Sequence, residues 1–61
     1  MNNRIRELCK EKGVTPYRMA KDLGFPLTAV YHYMSGKRNP SVKRSMEIAK
    51  YLNKSVEDLW T

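Results

Sequence analysis

Few residues in this 61-residue chain could carry out a reaction. It has one cysteine, Cys9, and one histidine, His32. Together they fall short of the four protein ligands of a structural zinc site, and a lone cysteine excludes an intramolecular disulfide. Helical spacing places no carboxylate or nucleophile beside His32. No acid–base pair is therefore expected, the chain is read as a non-enzyme, and no cofactor is implied. The groups that stand out belong to recognition chemistry. Leu27, Thr28, Tyr31 and His32 share the face of a helical pattern that points away from Val30, Tyr33 and Met34, and this face is expected to read DNA.

A second feature lies just beyond. Lys37, Arg38 and Asn39, with Lys43 and Arg44, form a run that has four positive residues and no acid between positions 37 and 44. The whole chain carries a net charge of +6 from twelve Lys and Arg against six acids, with a pI near 9.8. Such a balance suits an anionic partner, either nucleic acid or an anionic membrane surface. No apolar run approaches the ~20 residues that span a bilayer, and the N-terminus lacks the apolar stretch of a signal peptide. A cytoplasmic protein with no membrane partner is expected, and the free Cys9 agrees with a reducing compartment.

These residues need elements to position them. Ile5, Leu8 and Cys9 share one face of a first helix from Asn2 or Asn3 to Lys12, with Asn3 as cap and Gly13 as its left-handed end. The second helix runs from Pro16 to Leu23, capped by Thr15. It turns Met19, Ala20 and Leu23 inward, Ala20 being small enough for a close crossing. Gly24, Phe25 and Pro26 make a tight corner. With Pro26 at the cap, Phe25 and Val30 stand as a hydrophobic staple at the start of a third helix, Leu27 to Met34. Ser41 caps a fourth helix with Val42, Met46, Ile48, Ala49 and Leu52 as its apolar face, interrupted by Ser45. Asn53 can end it in the left-handed region. Ser55 and Asp58 approximate a capping box before a last short helical turn with Val56, Leu59 and Trp60 on its apolar side. Five short helices without strand alternation predict one compact all-α domain, and a chain this size buries only about 60% of the surface it exposes unfolded.

Over nearly its whole length the chain resembles the Cro and lambda-repressor-like helix-turn-helix family, also called the Xre family. The resemblance rests on Thr15, Met19-Ala20, Leu23-Gly24, Val30, Gly36-Lys37-Arg38, Pro40-Ser41, Ile48-Ala49, Leu52 and Ser55 to Leu59, all at matching spacing. It implies a five-helix lambda-repressor-like domain with the helix-turn-helix at the second and third helices. The third helix would enter the major groove of double-stranded DNA, and Leu27, Thr28 and His32 match positions that touch base edges, with Tyr31 beside them. Thr28 and His32 can each donate or accept there, and Leu27 can meet a thymine methyl.

Pro16 stands where the family commonly has glutamine, so Thr15, Tyr17 and Arg18 are the expected phosphate contacts of the second helix. Lys37, Arg38, Asn39, Lys43 and Arg44 are those that follow the third. Pro26 replaces a usual Ser or Thr. Cys9 and Met34 stand together where the family often pairs arginine with glutamate, and are expected to form an apolar contact instead. The resemblance also implies a homodimer, at least on DNA, with half-sites about one turn, ~34 Å, apart. No separate dimerisation domain is visible, and Tyr51, Val56 and Trp60 are its candidate contacts. The function implied is that of a bacterial or phage transcriptional regulator, expected to repress. The alternative is a protein-interaction module, such as an antitoxin or adaptor, that uses the same face.

Overall fold

The computed structural model describes residues 3–60. Helices α1 (Ile5–Lys12), α2 (Pro16–Leu23), α3 (Leu27–Ser35) and α4 (Val42–Tyr51) follow one another and lead into a single 3-10 turn, Val56–Leu59. The described residues are thus all-α with four α-helices, and the expected fifth helix is one turn only. The Ser55–Asp58 capping box does form, with Ser55 N–H on the Asp58 carboxylate at 3.1 Å and Asp58 N–H on Ser55 Oγ at 3.3 Å. Extended backbone at Trp60 then ends the turn. Arg4 N–H donates to the Leu59 carbonyl at 2.8 Å and Asn3 pairs with Trp60 in an isolated antiparallel bridge. Those backbone bonds between the two ends of the fold require an extended strand-like partner, which a continuing helix cannot supply.

Helix α1 begins at Ile5, later than expected; Asn2 lies outside the described residues. The N-cap is Arg4, without a side-chain cap bond, rather than the expected Asn3, whose Oδ1 instead accepts from Ile5 N–H at 3.0 Å. The caps of α2 and α4 are as expected. Thr15 Oγ1 accepts from Arg18 N–H at 3.1 Å, with Pro16 at the first helical position, and Ser41 Oγ accepts from Arg44 N–H at 3.2 Å. Asn53 takes the left-handed conformation after α4, at φ 60°.

The corner between α2 and α3 fixes how the exposed helix leaves the body. Gly24 sits at φ 74°, Phe25 N–H returns to the Ala20 carbonyl at 2.9 Å, and Pro26 is extended at the N-cap of α3. A Cβ at position 24 would meet nothing within 4 Å. Gly24→Ala therefore carries backbone strain alone, about 1 kcal/mol. Thermal unfolding should show a fall in Tm of roughly 4–8 °C, and a much larger fall would mean that side-chain space at the corner is tighter than the geometry indicates.

The core gathers Ile5, Leu8 and Cys9 from α1, Met19 and Ala20 from α2, Val30, Tyr33 and Met34 from α3, Ile48 and Ala49 from α4, then Leu52 and Leu59. Leu23 and Phe25 pack against it, half-buried. Two expectations for α4 are corrected. Val42 and Met46 are 79% and 58% exposed, whereas Ser45 is buried. The inward face follows Ser45, Ile48, Ala49 and Leu52 at three-and-four spacing, and Met46 lies about 100° round the helix from Ser45. Ser45 Oγ donates to the carbonyl of the buried Pro40 at 3.5 Å, so burying it leaves no orphaned hydroxyl.

Cys9 is buried as expected, and its thiol lies 3.5 Å from Met19 Sδ. Burial pushes the thiol pKa up to about 11, so it stays a protonated packing group. Among the described residues no helix is long and apolar enough to cross a membrane.

Candidate nucleic-acid interface

Helix α3 divides into two faces. Val30, Tyr33 and Met34 hold it to the core, while Thr28 and Tyr31 are exposed and His32 is half-buried. Among the described residues the side-chain hydrogen bonds along α3 are made by Tyr33, on the core side, and by Ser35, which lies on the same stripe as Thr28 but spends its hydroxyl on the His32 carbonyl and the Lys37 N–H. The hydroxyls of Thr28 and Tyr31 and the His32 ring are thus open to a ligand. Leu27 is half-buried and packs against the core, so only part of it remains for an outside contact.

The basic residues form a rim beside this face. After α3 the chain folds back on itself: Gly36 N–H reaches the Tyr33 carbonyl at 3.2 Å, Arg38 N–H the His32 carbonyl at 3.2 Å, and Lys37 N–H Ser35 Oγ at 3.4 Å. These bonds satisfy the last carbonyls of the helix and keep Lys37 and Arg38 next to it. Lys37, Arg38, Asn39 and Lys43 are exposed. No acid occurs between Asp22 and Glu47 in the sequence, and among the described residues the ion pairs are those of Arg4 with Glu7 and Glu11 and of Arg18 with Asp22. The positive charge beside α3 is therefore not cancelled by protein carboxylates, and a surface of one sign attracts phosphate at a distance.

At the start of α2, Thr15 is exposed, Tyr17 is 62% exposed, and Arg18 is exposed. Arg18 Nε donates to both oxygens of Asp22, at 3.1 and 3.3 Å. Asp22 also accepts from the Tyr51 hydroxyl at 2.6 Å, and Lys12 Nζ lies 5.3 Å from the centroid of the Tyr51 ring. This cluster ties the end of α4 to α2. The Tyr51 bond, and then Arg18, hold the Asp22 carboxyl below its ordinary range, while the same bond raises the Tyr51 phenol.

The signs of the two shifts set a pH window. A depressed Asp22 contributes stability above its unfolded value, and that stability is lost as pH falls through the folded one; a raised Tyr51 contributes below its unfolded value and loses it as pH rises through the folded one. Tyr51→Phe should therefore lower stability by a constant amount between about pH 5 and pH 9, and the difference from wild type should shrink below and above that range. Urea unfolding across pH would check this, and a pH-independent difference would remove the Asp22–Tyr51 bond as its source.

The candidate dimer contacts are drawn into the fold to different degrees. Tyr51 is half-buried and engaged by Asp22, and Trp60 is half-buried at the bridge to Asn3. Val56 lines an open groove of about 1050 Å³ between α4 and the 3-10 turn, together with Met46, Glu47 and Lys50. The exposure of Met46 was hidden in the sequence, where it shared helical spacing with inward residues.

Arg44 also departs from expectation. Instead of pointing freely among the other basic groups it is half-buried, its Nη1 donating to the Tyr33 hydroxyl at 2.8 Å and its guanidinium lying 4.6 Å from the centroid of the Phe25 ring.

Two short helices meeting at a glycine corner, the second exposing hydrogen-bonding groups beside an unneutralised basic loop, define a helix-turn-helix protein. A model of the helix-turn-helix family matches residues 5–59, and the chain belongs to that family, of Xre-like type. It is similar to a protein of Archaeoglobus fulgidus named an uncharacterized HTH-type transcriptional regulator, 35% identical over 60 residues that cover 98% of this chain and 86% of the relative. A second protein of the same name and organism is 32% identical over 60 residues, 98% of this chain and 84% of the relative.

Proposed function

We propose that the protein is a sequence-specific, double-stranded DNA-binding transcriptional regulator that lays α3 in the major groove. The observation that carries this reading is the pairing of an open polar face on α3, at Thr28, Tyr31 and His32, with exposed Lys37, Arg38 and Lys43 in a stretch free of acids. Thr28 and His32 are the main base readers, with Tyr31 and the exposed part of Leu27 beside them. Lys37, Arg38, Asn39 and Lys43 hold one phosphate strand, and Thr15, Tyr17 and Arg18 another. Arg18 shares its guanidinium between Asp22 and phosphate. The protein acts at the nucleoid, as a repressor, without catalysis.

A homodimer on DNA accompanies this reading. The molecule's longest extent is 24 Å, so two copies on half-sites ~34 Å apart would leave at least about 10 Å between them, and any contact has to be made by side chains that reach across that gap. Val56 with the exposed Met46 is the apolar surface that suits such a contact. The reading as a protein-docking module is less well supported, because Leu27 spends part of its apolar surface on the core of its own chain.

Selection of bound sequences from random duplex DNA tests the proposal. One sequence family should be enriched, and its affinity should fall steeply between 50 and 200 mM salt, at a slope of about −0.9 per phosphate contact. Failure to enrich any duplex would exclude direct readout.

A further inference from the structure

The geometry points to Arg44 as the positioning residue of the recognition helix, a clamp that sets the roll of α3 and so its base selectivity rather than its grip on the backbone. This rests on the DNA-binding reading above. Arg44 lies in the first turn of α4, where its own N–H is held by Ser41 Oγ. From there its guanidinium meets the corner before α3 and the tip of a side chain that comes from the last turn of α3. Its Cζ sits over the Phe25 ring, in the corner just before α3, 4.6 Å from the centroid, and the hydroxyl of Tyr33, in the last turn of α3, accepts from Nη1 at 2.8 Å. A further tie meets Tyr33 from the segment before α1, with Asn3 Nδ2 donating to the Tyr33 carbonyl at 2.6 Å.

The physical reason for such a device lies in what the core lacks. Val30, Tyr33 and Met34 fasten α3 by apolar burial, which is non-directional and tolerates a small rotation of the helix about its axis. A hydrogen bond from a charged donor and a cation over a ring face are directional, and with one holding the Tyr33 side chain of α3 and the other the corner before it, they tie the roll of the helix to α4. Readers on the far face need that definition, because base contacts are lost at displacements well under an ångström while phosphate contacts are forgiving. Among the described residues Arg44 forms no ion pair with a carboxylate, so the protein contacts that orient its guanidinium are the ring and the phenol. Lysine cannot replace it, lacking both the flat face and the fork of donors.

The test uses Tyr33→Phe, Arg44→Lys and the double variant, each first shown by thermal melting to be folded at the assay temperature. Affinities for the selected duplex and for a scrambled one are then measured over a range of salt. Each single variant should reduce the ratio of the two affinities about tenfold, the value expected for losing a hydrogen bond to a charged group. The double variant should lose little more than Arg44→Lys alone, since Tyr33→Phe removes one of the two contacts that the arginine makes. Affinity for the scrambled duplex and the salt slope should hold, because lysine keeps the charge. If the ratio survives in both single variants while only Tm falls, Arg44 is a stabilising residue and the proposal fails. It also fails if both duplexes weaken equally and the salt slope drops, which would make Arg44 a phosphate contact. Failure of the DNA-binding reading is distinct: wild type itself would then not discriminate the duplexes, and the clamp would have no selectivity to set.

Discussion

Ile48→Ala is expected to leave the domain largely unfolded at 37 °C. Ile48 is fully buried on the inward face of α4, in the same cluster as residues from α1, α2 and α3. Cutting such a side chain back to alanine costs about 2–5 kcal/mol, from lost burial and the cavity left behind. A domain of this length holds roughly 3–9 kcal/mol in total, at 0.05–0.15 kcal/mol per residue. The loss is therefore a large share of what exists, and no disulfide offsets it, since the one cysteine is free. Circular dichroism should show Tm lowered by more than about 8 °C. A smaller shift would mean that the helices close over the vacancy. Met46→Ala, two residues away at an exposed position, should by contrast change stability by no more than about 0.5 kcal/mol.

The second large effect concerns binding. Thr28→Ala and His32→Ala should each cost about 1–3 kcal/mol on the preferred duplex, confined to particular base positions, and leave scrambled DNA bound as before. Lys37→Ala should weaken all duplexes alike and lower the salt slope by about 1. The contrast follows from placement: Thr28 and His32 lie on the outward side of α3, whereas Lys37 is exposed in the loop that folds back on its end. Selection repeated with each variant, together with salt titrations, would separate the two classes. If Thr28, His32 and Lys37 variants behave identically, the division of roles is wrong.

The caps, corners and most of the core could be read from local patterns. Thr15, Ser41 and Ser55 bond the amides they were expected to bond. Gly24 and Asn53 take the left-handed conformations that end their helices. The inward faces of α1, α2 and α3 follow the spacing of their apolar residues. Each of these features depends on residues within about one turn of one another, so the sequence displays both partners at once. The outward face of α3 was legible for the same reason, as the complement of Val30, Tyr33 and Met34.

Helix α4 shows where that legibility ends. Its residues Val42 and Met46 are apolar at helical spacing, yet they face solvent, and Ser45 takes the interior place beside Pro40. Which stripe turns inward depends on how α4 rolls against its neighbours, and a helix with apolar groups on two sides leaves that open.

From the sequence alone, then, come the four α-helices, the corner between α2 and α3, the basic run beside it and the residues on the outward face of α3. The tertiary structure decided the rest. It reduced the last helix to a 3-10 turn that brings Leu59 to Arg4, bound Tyr51 to Asp22, and moved Arg44 from the basic rim to Tyr33 and Phe25. All of these join residues distant in the chain, by hydrogen bonds and ring contacts whose reach is a few ångströms. Whether such partners meet is settled only when the helices have packed, because a small change of roll or crossing angle moves a side-chain tip farther than the bond can stretch.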